Sequence, residues 1–258
     1  MKDGRIELII GPMFSGKTTE LIRRARRYSL KGLDIIGFKY EDSSNNSITS
    51  HDNDFFKNVL KISELKSIIQ SEKIISKYDI FLIDDLHFFS DSLEIIPILV
   101  NKYNKIVIAA GWDNNSNREP FMNVLNLIPQ SEELLKLKSF CKESEKLNGI
   151  FTVEDTSNKF KAISRNSLLK KKTGNFILIM GPMFSGKTTE LISFGNKYTN
   201  IGKKVLAVNH CHDKRYSDGK ICSHDKKLFN NTLSVKNLTI LSEIYIDKLE
   251  ESDVILID

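Results

Sequence analysis

The twelve residues from Gly11 to Ile22 read GPMFSGKTTELI, and the same twelve letters recur from Gly181 to Ile192. Identity at every position of so long a stretch indicates an internal repeat rather than chance. Shorter matches follow in the same order: Ser50-His51-Asp52 recurs as Ser223-His224-Asp225, and Leu82-Ile83-Asp84 recurs as Leu256-Ile257-Asp258. The sequence therefore predicts two related units in tandem.

The boundaries of these units follow from the repeat and from a basic stretch between them. We expect a first unit at residues 1–168, a linker at 169–174 that contains Lys170-Lys171-Lys172, and a second unit at 175–258. The second unit reaches only Asp258, the counterpart of Asp84, so it is predicted to be incomplete. We expect that residues 175–258 are not stable alone and that the native polypeptide continues beyond them.

Short β-branched runs alternate with helical patterns in both units, which predicts an α/β fold with a mostly parallel sheet and flanking helices. A helix is predicted from Thr18 to Lys31, closed by Gly32, and further helices around Ile62–Ile69 and Leu93–Val100. The predicted strands are Ile6–Ile10, Ile35–Phe38, Ile80–Ile83 and Ile106–Ala110 in the first unit, and Phe176–Met180, Val205–Val208 and Val254–Ile257 in the second.

The composition is that of an ordinary globular chain and excludes several classes of protein. The 258 residues are 40% hydrophobic and 28% charged, with a mean hydropathy of -0.25. No apolar stretch reaches the ~18 residues of a membrane span, and the N-terminus has no room for a signal peptide. We therefore expect a cytoplasmic protein without a membrane partner. Thirty-eight basic against 33 acidic residues do not indicate a nucleic-acid partner.

Residues 11–18 fit the pattern G-x-x-x-x-G-K-[ST], in which backbone N–H groups at a helix N-terminus surround phosphates. Lys17 is predicted to neutralise phosphate oxygens, while Thr18 and Asp84 bind Mg²⁺. The alternative, a glycine turn that binds nothing, is disfavoured because a strand precedes the loop, a helix follows it and the motif occurs twice. The second unit has Thr188 and Asp258 as the Mg²⁺ ligands. The predicted phosphate-binding residues are Gly11, Pro12, Met13, Phe14, Ser15, Gly16, Lys17 and Thr18, and Gly181, Pro182, Met183, Phe184, Ser185, Gly186, Lys187 and Thr188.

Together with this loop, three later features resemble the type II thymidine kinases. They are a strand that runs into an acidic pair, the stretch Gly111-Trp112-Asp113, and Pro120-Phe121. The resemblance covers essentially the whole first unit and, as far as it goes, the second. It implies a P-loop NTPase-type fold, ATP and Mg²⁺ as cofactors, thymidine or a related deoxynucleoside as substrate, and a homotetramer.

The resemblance also implies roles for individual residues. Asp85 stands where the family has its catalytic glutamate and would be the general base, on a stem one methylene shorter. The alternative for Asp85 is a second metal-side or solvated carboxylate, and for Phe89 it is core packing. The substrate-binding residues that the resemblance implies are Met13, Phe88, Trp112, Asp113 and Phe160.

Several positions depart from the family's pattern. Ser116 stands where an aromatic residue would stack on thymine, and Phe160 replaces a tyrosine of a loop that closes over the base. The family's zinc ligands fall on Cys141-x-x-Ser144 and Ser164-x-x-Ser167, which keep one thiolate, so we predict no zinc in the degenerate region 139–168. The second unit keeps the segment Asp213-x-Arg215-Tyr216, which the first unit lacks.

The predicted function is ATP-dependent phosphoryl transfer to the 5′-hydroxyl of thymidine. Lys17 and Thr18 would hold the phosphates, Asp84 the metal, and Asp85 would orient or deprotonate the hydroxyl. The alternative is a catalytically silent ATP-binding subunit that regulates or assembles with an intact kinase. The arginines of the first helix, Arg23, Arg24, Arg26 and Arg27, are interpreted as a solvated face.

Overall fold

The computed structural model of the chain describes residues 3–42, 47–50, 54–154, 159–170, 173–213, 220–223 and 226–258. Several predicted features lie outside these residues: His51 and Asp52 with their counterparts His224 and Asp225, residues 155–158 before Phe160, and Arg215 and Tyr216. The chain divides into two compact units, unit 1 at Met1–Thr173 and unit 2 at Gly174–Asp258. Each unit is described by itself.

Unit 1 alternates strands and helices. Its strands are β1 (Arg5–Ile10), β2 (Ile35–Tyr40), β3 (Ile48–Thr49), β4 (Phe55–Phe56), β5 (Val59–Ile62), β6 (Ile80–Ile83), β7 (Ile106–Gly111), β8 (Glu133–Lys136), β9 (Phe151–Glu154) and β10 (Phe160–Ile163). Its helices are α1 (Lys17–Ser29), α2 (Lys66–Ile69), α3 (Glu72–Lys77), α4 (Ser92–Asn101), α5 (Met122–Leu125) and α6 (Arg165–Leu169). Short 3-10 turns lie at Leu86–Phe88 and Ile128–Gln130.

Six of these strands form one parallel sheet in the order β5-β2-β6-β7-β1-β8. Side chains alternate between its two faces. Leu8 packs on one face with Leu99 of α4, and its neighbour Ile9 packs on the other face with Leu21 of α1. Helices therefore cover both faces of a buried parallel sheet, and the predicted α/β fold is confirmed.

The register of the central strands determines where the functional residues lie. In the parallel pairing of β1 with β7, Ile10 is opposite Gly111, and in the pairing of β6 with β7, Ile83 is opposite Ala109. The carboxyl ends of β1, β6 and β7 therefore meet at one edge of the sheet. Ligands of open α/β sheets bind at this edge.

Two local predictions for unit 1 are corrected by the structure. Ile62 was assigned to a helical pattern, but it ends β5 opposite Tyr40 of β2, and the helix begins only at Lys66. The arginines of α1 do not form a solvated face throughout, because Arg24 is 5% exposed. Its guanidinium donates to Glu7 at 2.7 Å and to Glu20 at 2.9 Å. Charged partners on β1 and α1 thus allow an arginine to be buried.

Unit 2 repeats part of this arrangement. It contains α7 (Lys187–Asn200), β11 (Val205–His210), β12 (Ile221–Cys222), β13 (Leu228–Phe229), β14 (Thr232–Val235), α8 (Thr239–Ile244), α9 (Ile246–Glu250) and β15 (Val254–Ile257). Its parallel sheet has the order β14-β11-β15. This order corresponds to β5-β2-β6 in unit 1.

The predicted strand Phe176–Met180 is not present. In unit 1 its counterpart β1 pairs with β7 and β8. Among the described residues of unit 2 the segment pairs with no strand, and most of its apolar side chains are exposed, with Phe176 at 78%. The apolar pattern of residues 176–180 is typical of a strand, but a strand forms only when its backbone N–H and C=O groups pair with a neighbouring strand.

Within the described ranges, no helix has both the length and the apolar character that crossing a lipid bilayer requires. Helix α6 crosses the predicted domain boundary at residue 168.

We expect Arg24→Ala to lower the free energy of unfolding of unit 1 by about 3 kcal/mol, because it leaves the buried carboxylate of Glu7 with fewer charged partners. Urea unfolding should be followed by the emission of Trp112, the one tryptophan of the chain, which reports on unit 1. Arg23→Ala is the matched control. Arg23 is 56% exposed and pairs with Glu20, so its removal should leave the midpoint unchanged. Equal midpoints for the two variants would contradict the structural role of Arg24.

Candidate active site

The loop between β1 and α1 has a conformation that depends on its glycines. Gly16 caps α1 with a φ of +83°, in the left-handed region that glycine adopts readily. Gly11 has a φ of +152°, and a Cβ there would lie 2.6 Å from the carbonyl oxygen of Leu137. The ammonium group of Lys17 folds back and donates to the carbonyl oxygen of Pro12 at 2.7 Å. The loop therefore curls around its own lysine.

Two groups in this loop fit a bound phosphate. Burial lowers the pKa of Lys17 to about 8, although Asp84, Asp85 and Asp113 act in the opposite direction. The hydroxyl of Ser15 is buried, and within the described residues it has no hydrogen-bond partner. A desolvated cation and an orphaned hydroxyl in one glycine loop are groups that a phosphate would stabilise.

The acidic pair follows β6 directly. Asp84 is 4% exposed and accepts a hydrogen bond from the Thr18 hydroxyl at 3.2 Å. Burial, with a smaller contribution from Asp85, raises the pKa of Asp84 to about 7, while the positive charge of Lys39 acts in the opposite direction. A hydroxyl and a carboxylate are oxygen donors that suit Mg²⁺. A cation at this point would favour the charged form of Asp84.

Asp85 lines the cleft beside the phosphate loop. Burial raises its pKa, against the charges of Lys39 and Lys17. Its backbone has a φ of 55°, a left-handed conformation in which Asp is enriched among residues other than glycine. The cleft has a volume of about 310 Å³, and its lining includes Met13, Lys17, Thr49, Ser50, Asp85 and Trp112. Asp85, the phosphate loop and the indole of Trp112 thus share one cavity.

An aromatic cluster surrounds one end of the cleft. The imidazole of His87 stacks on the indole of Trp112, with centroids 4.8 Å apart and planes at 10°. Phe160 meets the same indole edge-on at 5.6 Å. The sequence analysis did not single out His87. Its position two residues after Asp85 was a signal, because residues that follow the same strand lie at the same edge of the sheet.

Three residues with predicted substrate roles lie beside the cleft rather than in its lining. Phe88 is exposed and stacks on Tyr40 with centroids 5.4 Å apart. Asp113 is buried and pairs with the ammonium group of Lys136 at 2.7 Å. Phe160 reaches the site through Trp112. Phe89, by contrast, is fully buried in the core, which agrees with the core-packing alternative.

A comparison with protein families shows which family the chain matches. The model of the family described as thymidine kinase matches residues 4–163 and again residues 174–258. The chain belongs to the thymidine kinase family. By class, therefore, the chain is a phosphotransferase.

Individual relatives agree with this membership. A thymidine kinase of vaccinia virus, strain Ankara, is 41% identical over 143 residues, which cover 55% of this chain and 78% of that protein. A thymidine kinase of monkeypox virus is 40% identical over the same shares of both chains. The solved structure of flagellar accessory protein FlaH from Methanocaldococcus jannaschii aligns with a TM-score of 0.39 at 13% identity, over 53% of this chain and 72% of that one. That score is too low to support any conclusion.

The degenerate zinc region of this thymidine kinase family member forms a hydrogen-bonded cluster. The thiol sulfur of Cys141 accepts from the Ser164 N–H at 3.2 Å and lies 3.4 Å from the Ser167 hydroxyl. Burial acts to raise the pKa of Cys141, but hydrogen bonds with Ser144 and Ser167 outweigh it and lower the pKa to about 6. Among the described residues, no group of three or more His, Cys, Asp or Glu side chains is placed to hold a metal. The absence of zinc stays a prediction.

The same region supports the phosphate loop of unit 1. The Met13 N–H donates to the hydroxyl of Thr152 at 2.9 Å, and the hydroxyl of Ser139 donates to the Phe14 carbonyl at 3.1 Å. Thr152 and Ser139 are both buried. These contacts were not predictable from the sequence, because each joins residues more than a hundred positions apart.

The loop of unit 2 has the same internal geometry in a more exposed setting. Lys187 donates to the carbonyl oxygen of Pro182 at 2.7 Å, and the Thr188 hydroxyl donates to both carboxylate oxygens of Asp258 at 3.1 and 3.2 Å. Phe184 is 76% exposed, against 48% for its counterpart Phe14. The structure thus brings the predicted phosphate and metal ligands together in both units.

We expect His87 to make the stability of unit 1 depend on pH. Burial, together with the positive charge of Lys17, lowers the pKa of His87 to about 3, below its ordinary value near 6.5. Between these values the unfolded chain binds a proton that the folded chain excludes, so the free energy of unfolding falls as the pH falls. His87→Gln should remove a slope of about 1.4 kcal/mol per pH unit.

Urea unfolding between pH 6.5 and 4, followed by Trp112 emission, measures this slope. His210→Gln, at an exposed histidine of unit 2, is the matched control and should leave the unit 1 curves unchanged. If His87→Gln and the unaltered protein lose stability in parallel across this range, His87 is not held in its neutral form.

Proposed function

We propose that unit 1 transfers the γ-phosphoryl group of ATP to the 5′-hydroxyl of thymidine or a related deoxynucleoside, with Mg²⁺. The observation that carries this proposal is a single cleft lined by the phosphate loop, Asp85 and Trp112, next to the contact between Thr18 and Asp84. Family membership is consistent with it. A cytoplasmic location and a homotetramer remain predictions.

The phosphate loop binds and orients the donor. The backbone N–H groups of residues 13–18 lie at or just before the start of α1, where the helix dipole favours anions. Lys17 exchanges its contact with the Pro12 carbonyl for phosphate oxygens, and the Ser15 hydroxyl gains an acceptor. Thr18 and Asp84 hold Mg²⁺, which supplies positive charge to the transferred group when it is bound. These residues position the γ-phosphorus for in-line attack.

Asp85 takes the proton from the acceptor hydroxyl. A carboxylate whose pKa is raised is a better base near neutral pH than an ordinary aspartate, and burial raises the pKa of Asp85. Catalysis by this chain then combines one proton acceptor with electrostatic positioning.

The nucleoside occupies the part of the cleft beside Trp112. Met13 and Trp112 are lining residues and provide apolar contact with the base. Phe160 supports Trp112 from the side. Phe88 and Asp113 remain proposed binding residues, Asp113 acting through its pairing with Lys136.

Unit 2 is proposed as a second phosphate-binding site. Residues 181–188 repeat the loop, and Thr188 and Asp258 repeat the Mg²⁺ ligands. We place phosphoryl transfer in unit 1, because Asp85 lines the cleft of that unit together with the phosphate loop.

Two nucleotides per chain are therefore expected in calorimetric titration with ATP and Mg²⁺. Lys17→Ala and Lys187→Ala should each remove one site, because a phosphate charge loses its lysine partner. The double variant should bind none. Lys31→Ala, at an exposed lysine after α1, is the control and should keep both sites. Micromolar affinity in the double variant would contradict the assignment of both loops.

Asp85→Asn should lower kcat for thymidine by about 10²–10⁴-fold and leave ATP binding intact, because it removes the base and keeps the shape. Asp85→Glu should raise kcat if the shorter stem limits the reaction. Steady-state kinetics with both substrates provide the measurement. An Asp85→Asn variant with the kcat of the unaltered protein would show that Asp85 is not the base. An unaltered protein that binds ATP and phosphorylates no thymidine would favour the silent-subunit alternative.

A further inference from the structure

The proposed reaction assigns no role to His87. It lies in the 3-10 turn Leu86–Phe88, two residues after Asp85, and it is 8% exposed. Trp112 directly follows β7, the strand that pairs with β6. The two side chains therefore come from neighbouring strand ends, and the topology of the sheet brings them together.

Two contacts connect His87 to Trp112. The first is the stack of imidazole on indole, 4.8 Å between centroids and within 10° of parallel. The second is a long hydrogen bond of 3.4 Å from the Trp112 backbone N–H to Nδ1 of His87. An accepting Nδ1 places the proton of the neutral ring on Nε2. His87 thus contacts both the backbone and the side chain of Trp112.

Other rings restrict the pair further. Phe88 lies 4.3 Å from the His87 ring and Phe121 lies 5.1 Å from it, centroid to centroid. Phe160 packs against Trp112 from another direction. The indole is consequently held between His87 and Phe160. Rings packed in this way have little rotational freedom.

Trp112, which these rings hold, also lines the cleft. Asp85 must reach the acceptor hydroxyl, so the nucleobase extends from Asp85 into another part of the cavity. Among the residues that the structure describes, two aromatic ones line the cavity, Phe14 and Trp112, and Phe14 belongs to the phosphate loop. Trp112 is therefore the aromatic surface available to a base, and a base gains from stacking or edge contact with such a ring.

We propose that His87 is a positioning residue for the nucleoside: it holds the Trp112 indole, through ring stacking and the Trp112 amide, as the surface that contacts the base. This inference rests on the proposed thymidine kinase activity. It predicts an effect on nucleoside binding and little effect on the ATP site. A histidine that only fills the core would alter overall stability and leave nucleoside affinity unchanged in the folded protein.

Three variants separate the two contacts. His87→Phe keeps a ring and loses the nitrogen acceptor, His87→Asn keeps an acceptor near the position of Nδ1 and loses the ring, and His87→Ala loses both. His210→Phe in unit 2 is the matched control. Because the 258 residues contain one tryptophan, the tryptophan emission and anisotropy of this chain report on Trp112 alone.

Thymidine should change the Trp112 emission of the unaltered protein in a saturable way. We expect the KM for thymidine to rise about tenfold in His87→Ala, with a smaller rise in His87→Phe and His87→Asn, while kcat and the KM for ATP change less than about threefold. Trp112 anisotropy should fall in the same order. The control should match the unaltered protein in every measurement.

Three outcomes would overturn the inference. They are an unchanged KM for thymidine in folded His87 variants, a parallel loss of ATP and thymidine binding, and a Trp112 emission that thymidine does not change. If His87→Ala does not fold, the Phe and Asn variants decide. A protein that binds thymidine through Trp112 without turnover would refute the proposed activity alone, since the emission titration of the variants still tests His87.

Discussion

The site depends on the position of β7, which pairs in parallel with β1 on one side and β6 on the other. This arrangement brings three chain segments to the same sheet edge: the phosphate loop after β1, the residues from Asp84 to His87 after β6, and Trp112 after β7. No segment carries the chemistry alone. Thr18 and Asp84, the two proposed metal ligands, are 66 residues apart in the chain and share a hydrogen bond.

The electrostatics of this edge are those of a site prepared for charged ligands. Lys17, Asp84 and Asp85 are largely buried. Burial lowers the pKa of Lys17 and raises the pKa of both aspartates, which in each case favours the neutral form. Buried lysines and aspartates with shifted pKa values are rare in proteins outside functional sites. A phosphate chain with its metal ion would favour the charged forms again. The buried groups therefore favour a ligand that carries both phosphate and a metal ion.

Features encoded locally could be predicted, and features that depend on distant residues could not. The glycine loop and α1 follow from twelve residues, and Asp84 follows a recognisable apolar strand. The structure has α1 directly after the loop and Asp84 in contact with the Thr18 hydroxyl, while the role of Asp84 as a metal ligand stays a prediction. The burial of Arg24 depends on Glu7 of a different element, and the role of His87 depends on Trp112. The segment Phe176–Met180 has the letters of a strand, yet strand formation requires neighbours that local sequence does not specify.

The two identical loops show how much of a binding geometry a short peptide contains. Phe14 and Phe184 both adopt left-handed backbone angles, 60° and 64°, and both lysines meet the proline carbonyl at 2.7 Å. Only the first loop is held by Thr152 and Ser139. The same twelve residues thus make the same turn at this phenylalanine in two settings, one of them more exposed. Solvent access to the loop can therefore change while this turn is kept.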